Sequence, residues 1–103
     1  MKLVTIGITA ASLMFGAQAM ADQALAQKDG CLACHQVDKK VVGPSYKEVA
    51  AKYKGDKTAE AKLIEKVKKG GSGVWGPVPM PANSPRISDA DIKSLVKWVL
   101  SQK

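Results

Sequence analysis

The residues with the most distinctive chemistry lie together in the first half of the chain. Cys31 and Cys34 are three positions apart, and His35, the only histidine among 103 residues, follows at once. This C-x-x-C-H pattern is typical of c-type haem attachment. Two thiols one helical turn apart can add to the two vinyl groups at one porphyrin edge, while the adjacent imidazole binds the iron. The motif therefore predicts one covalently bound haem c.

Other interpretations of the motif are weaker but stay open at this point. A structural zinc site needs four Cys or His ligands, and the whole chain offers three. A thioredoxin-like redox pair normally opens a helix after a strand in a βαβ unit, and no strand pattern is present here. A chance C-x-x-C beside a structural histidine remains. The export signal described below and the absence of other Cys or His favour haem.

A second candidate iron ligand lies in residues 70–87, a segment of 18 residues with four Gly, four Pro and no periodicity. Loops of this length in compact domains are usually functional or disordered. This one is apolar and stiffened by proline, so we expect it to wrap around something. Met80 lies in its middle. A lone Met is more often core filler, but the flanking prolines and the lack of another ligand favour a His35/Met80 axial pair.

The first 21 residues have the form of an export signal. Lys2 is followed by an uncharged stretch from 3 to 21, which ends in the small-x-small sequences 17–19 and 19–21. We expect cleavage after Ala21, which leaves a domain of residues 22–103. The alternative is a retained membrane anchor, although several polar residues dilute the stretch. An exported bacterial protein of this kind is expected in the periplasm.

Residues 22–103 are close to the size at which an apolar core alone is barely sufficient, and they hold only four aromatic side chains. A Cys31–Cys34 disulfide would close a very small loop and restrain little of the chain. We therefore expect a prosthetic group to complete the core. The composition excludes a disordered chain and a protein with several membrane spans. The positive charge has no nucleic-acid-binding motif beside it, so no nucleic-acid partner is expected.

Periodicity predicts an all-α fold with about four short helices. Residues 22–27 are predicted to form a short amphipathic helix through Ala24 and Leu25. A second helix begins at the capping-box sequence that starts with Ser45. Its predicted apolar face is formed by Tyr46, Val49, Ala50 and Tyr53.

Two further helices are predicted on either side of residues 70–87. Thr58 is the expected cap of the third helix, which ends at Gly70. Ser88 opens the fourth helix. Their apolar faces are predicted to be Leu63, Ile64 and Val67 in the third helix, and Ile92, Leu95, Val96 and Val99 in the fourth.

Four segments in this order and spacing resemble one known family. They are residues 30–35, 42–47, 73–81 and 95–100. The sequence is similar to the small class I bacterial cytochromes c of the cytochrome c-551/c-552 (c8) type, over essentially all of residues 22–103. The resemblance implies an all-α small cytochrome c fold, with about four short helices wrapped around one covalently bound haem.

The resemblance also implies roles for individual residues. Cys31 and Cys34 would carry the thioethers, and His35 and Met80 would bind the iron from opposite faces. The backbone carbonyl of Pro44 would accept the Nδ1 proton of His35, which fixes the imidazole tautomer.

Three further positions are implied around the haem. Trp75 would donate to a haem propionate, and Asn83 would approach the Met80 sulfur. Lys66 stands where relatives carry an arginine that faces a propionate, and a lysine there loses the bidentate fork. Residues 84–87 form a slightly longer connection than in relatives, so the resemblance gives no expectation about contacts there.

The implied function is one-electron transport in the periplasm by a monomer with no stable membrane insertion. The expected donor is a bc1-type complex or a related cytochrome, and the expected acceptor is a cytochrome cd1 nitrite reductase, an oxidase or a peroxidase. Enzymatic activity is not expected, because His35 and Met80 leave no open iron position. The rival functions are a small peroxidase or gas sensor, which needs an open iron, and a thiol oxidoreductase, which needs a free dithiol.

Electron carriers exchange partners through small, transient interfaces. The expected apolar part of such a surface consists of Val41, Val42, Pro77, Val78 and Pro79. Lysines around it would steer an acidic partner, or else form a solvated face. These lysines are Lys39, Lys40, Lys47, Lys68 and Lys69.

Overall fold

The computed structural model describes residues 22–103. The predicted export signal and its cleavage site lie outside these residues. Helix α1 occupies residues 22–28 and is followed by a 3₁₀ turn at Cys31–Ala33. The other helices are α2 (Tyr46–Lys52), α3 (Ala59–Lys69) and α4 (Asp89–Leu100). Residues 22–103 contain no β-strand, only two isolated bridges. The prediction of an all-α fold with four short helices is confirmed.

Helix α2 begins where its capping box predicts. The Ser45 hydroxyl accepts a hydrogen bond from the Glu48 N–H at 3.1 Å, and the Glu48 carboxylate accepts one from the Ser45 N–H at 3.3 Å. These two bonds satisfy N–H groups that have no partner inside the helix. Of the four residues of the predicted apolar face, Tyr46, Val49 and Ala50 are buried. Tyr53, at the end of the helix, is half-buried.

Helix α4 is the central element, because both α2 and α3 pack against it. On one side, Leu95 and Trp98 join Ala26 and Tyr46 in a buried cluster. On the other side, a second cluster contains Ile87, Ile92 and Val96. The predicted face missed Trp98 because a single apolar stripe assumes one packing partner, and α4 has partners on two sides. Val99 is only half-buried.

Two details of the sequence prediction are wrong. In α1 the fully buried residue is Ala26, whereas Ala24 is exposed. Thr58 precedes α3, but its side chain caps nothing there. Instead, the Asp56 carboxylate accepts hydrogen bonds from the Thr58 N–H at 2.8 Å and from its hydroxyl at 2.6 Å. A capping hydroxyl must accept a hydrogen bond from a helix N–H. Thr58 has helical backbone angles (φ −95°, ψ −4°) instead of the extended ones typical of a cap, and its hydroxyl donates to Asp56 without accepting from α3.

Asp29, just after α1, is predicted to weaken the fold when it is ionised. Burial raises its pKa above the ordinary 3.8, and so does the negative charge of Asp91. Among the described residues, its buried Oδ2 has no hydrogen-bond partner. A raised folded-state pKa means that stability is lost as pH rises through that pKa. We expect Asp29→Asn to raise the melting temperature at pH 7, by less than about 4 °C, and to have no effect well below pH 3.8.

Asp56 is the matched control of opposite sign. Its hydrogen bonds from Thr58 lower its pKa below 3.8, so its contribution to stability is present at neutral pH and is lost as pH falls. Asp56→Asn should lower the melting temperature at pH 7 and lose this effect in acid. Melting curves of both variants between pH 3 and 7 check the pair, and equal signs for the two variants at pH 7 would contradict it.

Candidate functional site

The main cavity of the described structure lies between the cysteine motif, helices α3 and α4, and residues 70–87. Its space is about 1050 Å³, part of which is open to solvent. Most of its wall is apolar and includes Leu63, Val67, Leu95, Val96 and Val99. The sequence-predicted site residues in its wall are Cys31, Cys34, His35, Pro44, Lys66, Trp75 and Met80. Leu63, Val67 and Val99 are only half-buried because they face this cavity.

The His35 ring is held at the cavity wall by a single hydrogen bond. Its Nδ1 lies 2.8 Å from the Pro44 carbonyl oxygen. A carbonyl can only accept, so Nδ1 carries a proton and donates it to Pro44. The chain around it is tied back, since the N–H groups of Val42 and Gly43 both donate to the Cys34 carbonyl, at 3.2 and 2.8 Å. This geometry leaves Nε2 as the nitrogen free to bind a metal.

Gly43 packs directly against that ring. A Cβ at this position would lie 2.5 Å from His35 Cε1 and 2.9 Å from Nδ1. No real side chain tolerates such distances, so only glycine lets the backbone pass beside the imidazole. Sequence reasoning placed Gly43 in a motif but gave it no role. Its contact joins residues eight positions apart, and no local pattern reports such a contact.

Tyr46 forms the other flank of the histidine. The two rings stack with centroids 5.2 Å apart and an angle of 23° between their planes. On its far side Tyr46 meets the Trp98 ring edge-on, with centroids 5.3 Å apart. Burial raises the pKa of the Tyr46 hydroxyl far above its ordinary value, so the ring stays neutral. The sequence predicted Tyr46 as a core residue, and its position after Pro44 was the one signal that linked it to the site.

Met80 reaches the same cavity from residues 70–87. Its backbone pairs with Gly71 through two hydrogen bonds, Gly71 N–H to Met80 O at 3.0 Å and Met80 N–H to Gly71 O at 2.9 Å. Gly70 has φ of 70°, in the left-handed region, and a Cβ there would overlap the Met80 carbonyl oxygen. The prediction that these residues form an irregular segment around a site agrees with the structure.

The remaining predicted residues lie at the rim or outside the cavity. Lys66 is half-buried in the wall, and Trp75 lies 37% exposed with the Lys52 ammonium 5.2 Å from its ring centre. Asn83 is buried but does not line the cavity. Its side-chain amide donates to the carbonyl oxygens of Val67 at 3.1 Å and Pro81 at 3.2 Å.

The two rival chemistries of the cysteines find little support. Burial, and then the charge of Asp29, raise the pKa of the Cys31 thiol, whereas reactive thiols have a lowered pKa. Within residues 22–103 no three His, Cys, Asp or Glu side chains are arranged to hold a metal ion. None of the helices in this part of the chain is long and apolar enough to cross a membrane.

The donor set and the cavity fit a covalently bound haem. Two cysteines line an apolar cavity, and an imidazole with a free Nε2 shares the wall with a thioether. Imidazole and thioether are the two axial ligands of electron-transfer haems of the c type. The class that this fold and cavity define is therefore a small all-α protein of the c-type haem class.

Comparisons with known proteins agree. The family model described as cytochrome c matches residues 19–103. Cytochrome c-551 of Pseudomonas aeruginosa is 48% identical over 101 residues, which cover 98% of this chain and 95% of the relative. Cytochrome c-552 of Nitrosomonas europaea is 50% identical over 104 residues and covers both chains completely. The crystal structure of wild-type Nitrosomonas europaea cytochrome c552 superposes with a TM-score of 0.75 and 52% identity, over 79% of this chain and 99% of that one.

The chain belongs to the cytochrome c family, as a member of the small class I c-551/c-552 type. It is a monohaem electron carrier rather than an enzyme, and it works with redox partners. Its cofactor is one haem c with iron, which fits the cysteines at positions 31 and 34.

Gly43→Ala is predicted to disturb the histidine without touching the haem attachment motif. Because the new Cβ meets the ring at 2.5 Å, His35 or its loop must move. Changes next to a metal ligand typically cost about 10–100-fold in affinity. We expect carbon monoxide to displace an axial ligand of the ferrous protein at least tenfold more readily. The control is Gly55→Ala, which puts a Cβ into open space at φ of 80°, and equal behaviour of the two variants would contradict the prediction.

Proposed function

We propose that this protein carries single electrons in the bacterial periplasm, with His35 and Met80 as the two axial ligands of its haem iron. The observation that carries this proposal is that both side chains line one cavity, together with Cys31 and Cys34. When bound, haem supplies a ferric/ferrous couple of one electron. With His35 and Met80 as its ligands, the iron would have no position open to substrate. An imidazole and a thioether suit a carrier whose site rearranges little.

Several neighbouring residues support this assignment in distinct ways. Pro44 holds the imidazole tautomer through its carbonyl oxygen, 2.8 Å from Nδ1. In this proposal Lys66 and Trp75, both in the cavity wall, face the haem propionates. Asn83 acts at one remove from Met80, since its amide binds the carbonyl oxygen of the next residue, Pro81.

The docking surface proposed for redox partners surrounds the cavity mouth. Val41, Val42 and Val78 are 53%, 47% and 59% exposed, and an exposed apolar patch with a polar rim is typical of an interaction surface. Pro77 and Pro79 lie exposed beside Val78.

The lysines around this patch differ in whether they form an ion pair with a carboxylate. Lys47, Lys68 and Lys69 form ion pairs with Asp38, Asp89 and Glu65. Among residues 22–103, no carboxylate lies within ion-pair distance of Lys39 or Lys40, which follow the histidine and precede Val41. These two lysines are therefore the proposed attraction for an acidic partner.

The direction of electron flow is proposed from the family. The donor is a bc1-type complex or a related cytochrome, and the acceptor is a cytochrome cd1 nitrite reductase, an oxidase or a peroxidase. The location follows from residues 1–21, whose uncharged stretch and small-x-small ending favour export and cleavage after Ala21. The carrier is then residues 22–103, acting as a monomer.

An absorption spectrum of the protein expressed in a periplasm tests this proposal. In the ferrous state we expect a sharp α-band at the c-type position. In the ferric state we expect the weak far-red band of a thioether bound to haem iron. Haem without the far-red band would overturn Met80 as a ligand and favour a sensor or peroxidase. Absence of haem, with two thiols that react with a thiol reagent, would overturn the proposal as a whole.

A further inference from the structure

Arg86 is the only arginine in a chain with 16 basic residues, the other 15 of which are lysines. It lies in residues 84–87, between α4 and residues 70–83, which we call the Met80 segment, at a place where the family resemblance gives no expectation about contacts. An arginine differs from the lysines in its planar guanidinium, which presents N–H donors in a rigid fork. A lysine ammonium cannot replace this fork where two acceptors must be bridged.

The Arg86 guanidinium uses both arms of its fork. Nη1 donates to the backbone carbonyl of Asp29 at 3.1 Å, and Nη2 donates to the Asn83 side-chain oxygen at 2.8 Å. Asp29 lies two residues before Cys31, and Asn83 lies three residues after Met80. Within residues 22–103, no other hydrogen bond joins residues 22–35 to residues 70–87. One side chain therefore connects the two segments that supply the thioethers and the two iron ligands.

The Asn83 side of this bridge is firmly anchored. Asn83 is buried, and its backbone N–H lies 3.2 Å from the carbonyl oxygens of both Val67 and Lys68. Its side-chain amide donates to Val67 and to Pro81, the neighbour of Met80. A movement of Asn83 is thus passed on to the backbone that carries the methionine.

Arg86 also fixes which way the Asn83 amide faces. A guanidinium has only donors, so the atom that meets Nη2 must be the amide oxygen. The NH₂ group is then directed at the carbonyls of Val67 and Pro81, which can only accept. The contacts at the amide oxygen and at the NH₂ group therefore require the same orientation of Asn83. Arg86, which lies outside the Met80 segment, makes the contact at the oxygen.

We propose that Arg86 is a positioning residue for Met80. By bridging the Asp29 carbonyl and the Asn83 amide, it holds the Met80 segment against residues 22–35, which carry the two cysteines, and keeps the thioether on the iron. The inference deepens the proposed function and rests on its His35/Met80 ligation. Arg86 does not line the cavity, so in this proposal it acts through Asn83 and the backbone around it.

The test compares Arg86→Ala and Arg86→Lys with Lys93→Ala in the ferric, haem-loaded protein. Lys93→Ala removes the same charge from an exposed position on α4. Imidazole is titrated while the far-red band is followed. We expect imidazole to displace Met80 about tenfold more readily in Arg86→Ala than in the unaltered protein. Arg86→Lys should resemble Arg86→Ala, because it keeps the charge and loses the fork. Unaltered affinity in Arg86→Ala, or full rescue by lysine, would overturn the proposal.

A double-variant cycle separates positioning from general stabilisation. If Arg86 acts through Asn83, then Arg86→Ala combined with Asn83→Ala should be no more sensitive to imidazole than Asn83→Ala alone. Additive effects would overturn the proposal. On heating, Arg86→Ala should lose the far-red band before its helical circular dichroism, and simultaneous loss would point to a merely structural role and overturn it. An unaltered protein without the far-red band would instead refute the proposed function, so the two failures are distinguishable.

Discussion

Replacement of Met80 by alanine is expected to open the iron and lower the reduction potential. The cavity wall contains one histidine and one methionine, so no second imidazole or thioether is there to replace Met80. Axial ligands set haem potentials over a range of about 0.8 V. Loss of the thioether removes the ligand that favours ferrous iron, and each tenfold change in relative affinity corresponds to about 59 mV. We expect a fall of at least two such steps, roughly 120 mV.

Voltammetry and ligand titration measure this effect together. Met80→Ala should lack the far-red band and bind cyanide and carbon monoxide, which the unaltered protein resists. The control is Val78→Ala, which shortens an exposed side chain two residues away in the same segment. An unchanged spectrum in Met80→Ala would refute Met80 as a ligand.

The second large effect is expected from Cys31→Ala combined with Cys34→Ala, which removes both haem attachment points. Helices α3 and α4 pack on each other, but residues of both also face the cavity that haem fills. A core in a domain of this size rarely supplies more than about 3–5 kcal/mol by itself. Without covalent haem, we expect a largely unfolded chain at room temperature.

Circular dichroism checks this expectation directly. The double variant should show little helix and no cooperative thermal transition. Each single variant retains one thioether and should keep the fold at reduced stability. A cooperative melt in the double variant would show that the two buried clusters suffice without the cofactor.

The parts of the fold that sequence predicted correctly are those set by local chemistry. The Ser45/Glu48 capping box needs only residues within one turn, so the start of α2 could be read directly. Thr58 shows the limit of that approach. Thr58 occupies the cap position, but its backbone angles are helical, and its hydroxyl donates to Asp56, two residues earlier, without accepting from the helix. A pattern names candidate partners, and the backbone geometry decides between them.

The same distinction between local chemistry and contacts over a distance applies to the site residues. Cys31, Cys34, His35 and Met80 were predicted as one site because few other residues can do that chemistry, and the structure places all four in one cavity wall. The resemblance also supplied the Pro44 carbonyl beside His35. Two other supports were not predicted, because each is a contact between distant parts of the chain. Gly43 beside the His35 ring and Arg86 across to Asp29 depend on how segments are placed in space. Neither contact has a periodicity that a sequence could show.

Two backbone hydrogen bonds join Gly71 to Met80. They close residues 72–79 into a loop whose two ends are held together. Most of residues 72–79, Trp75 included, line the cavity, whereas Pro77 is exposed outside its wall. We therefore expect a substitution at Pro77 to change what the protein recognises with little effect on the Met80 backbone, which its two hydrogen bonds to Gly71 hold in place.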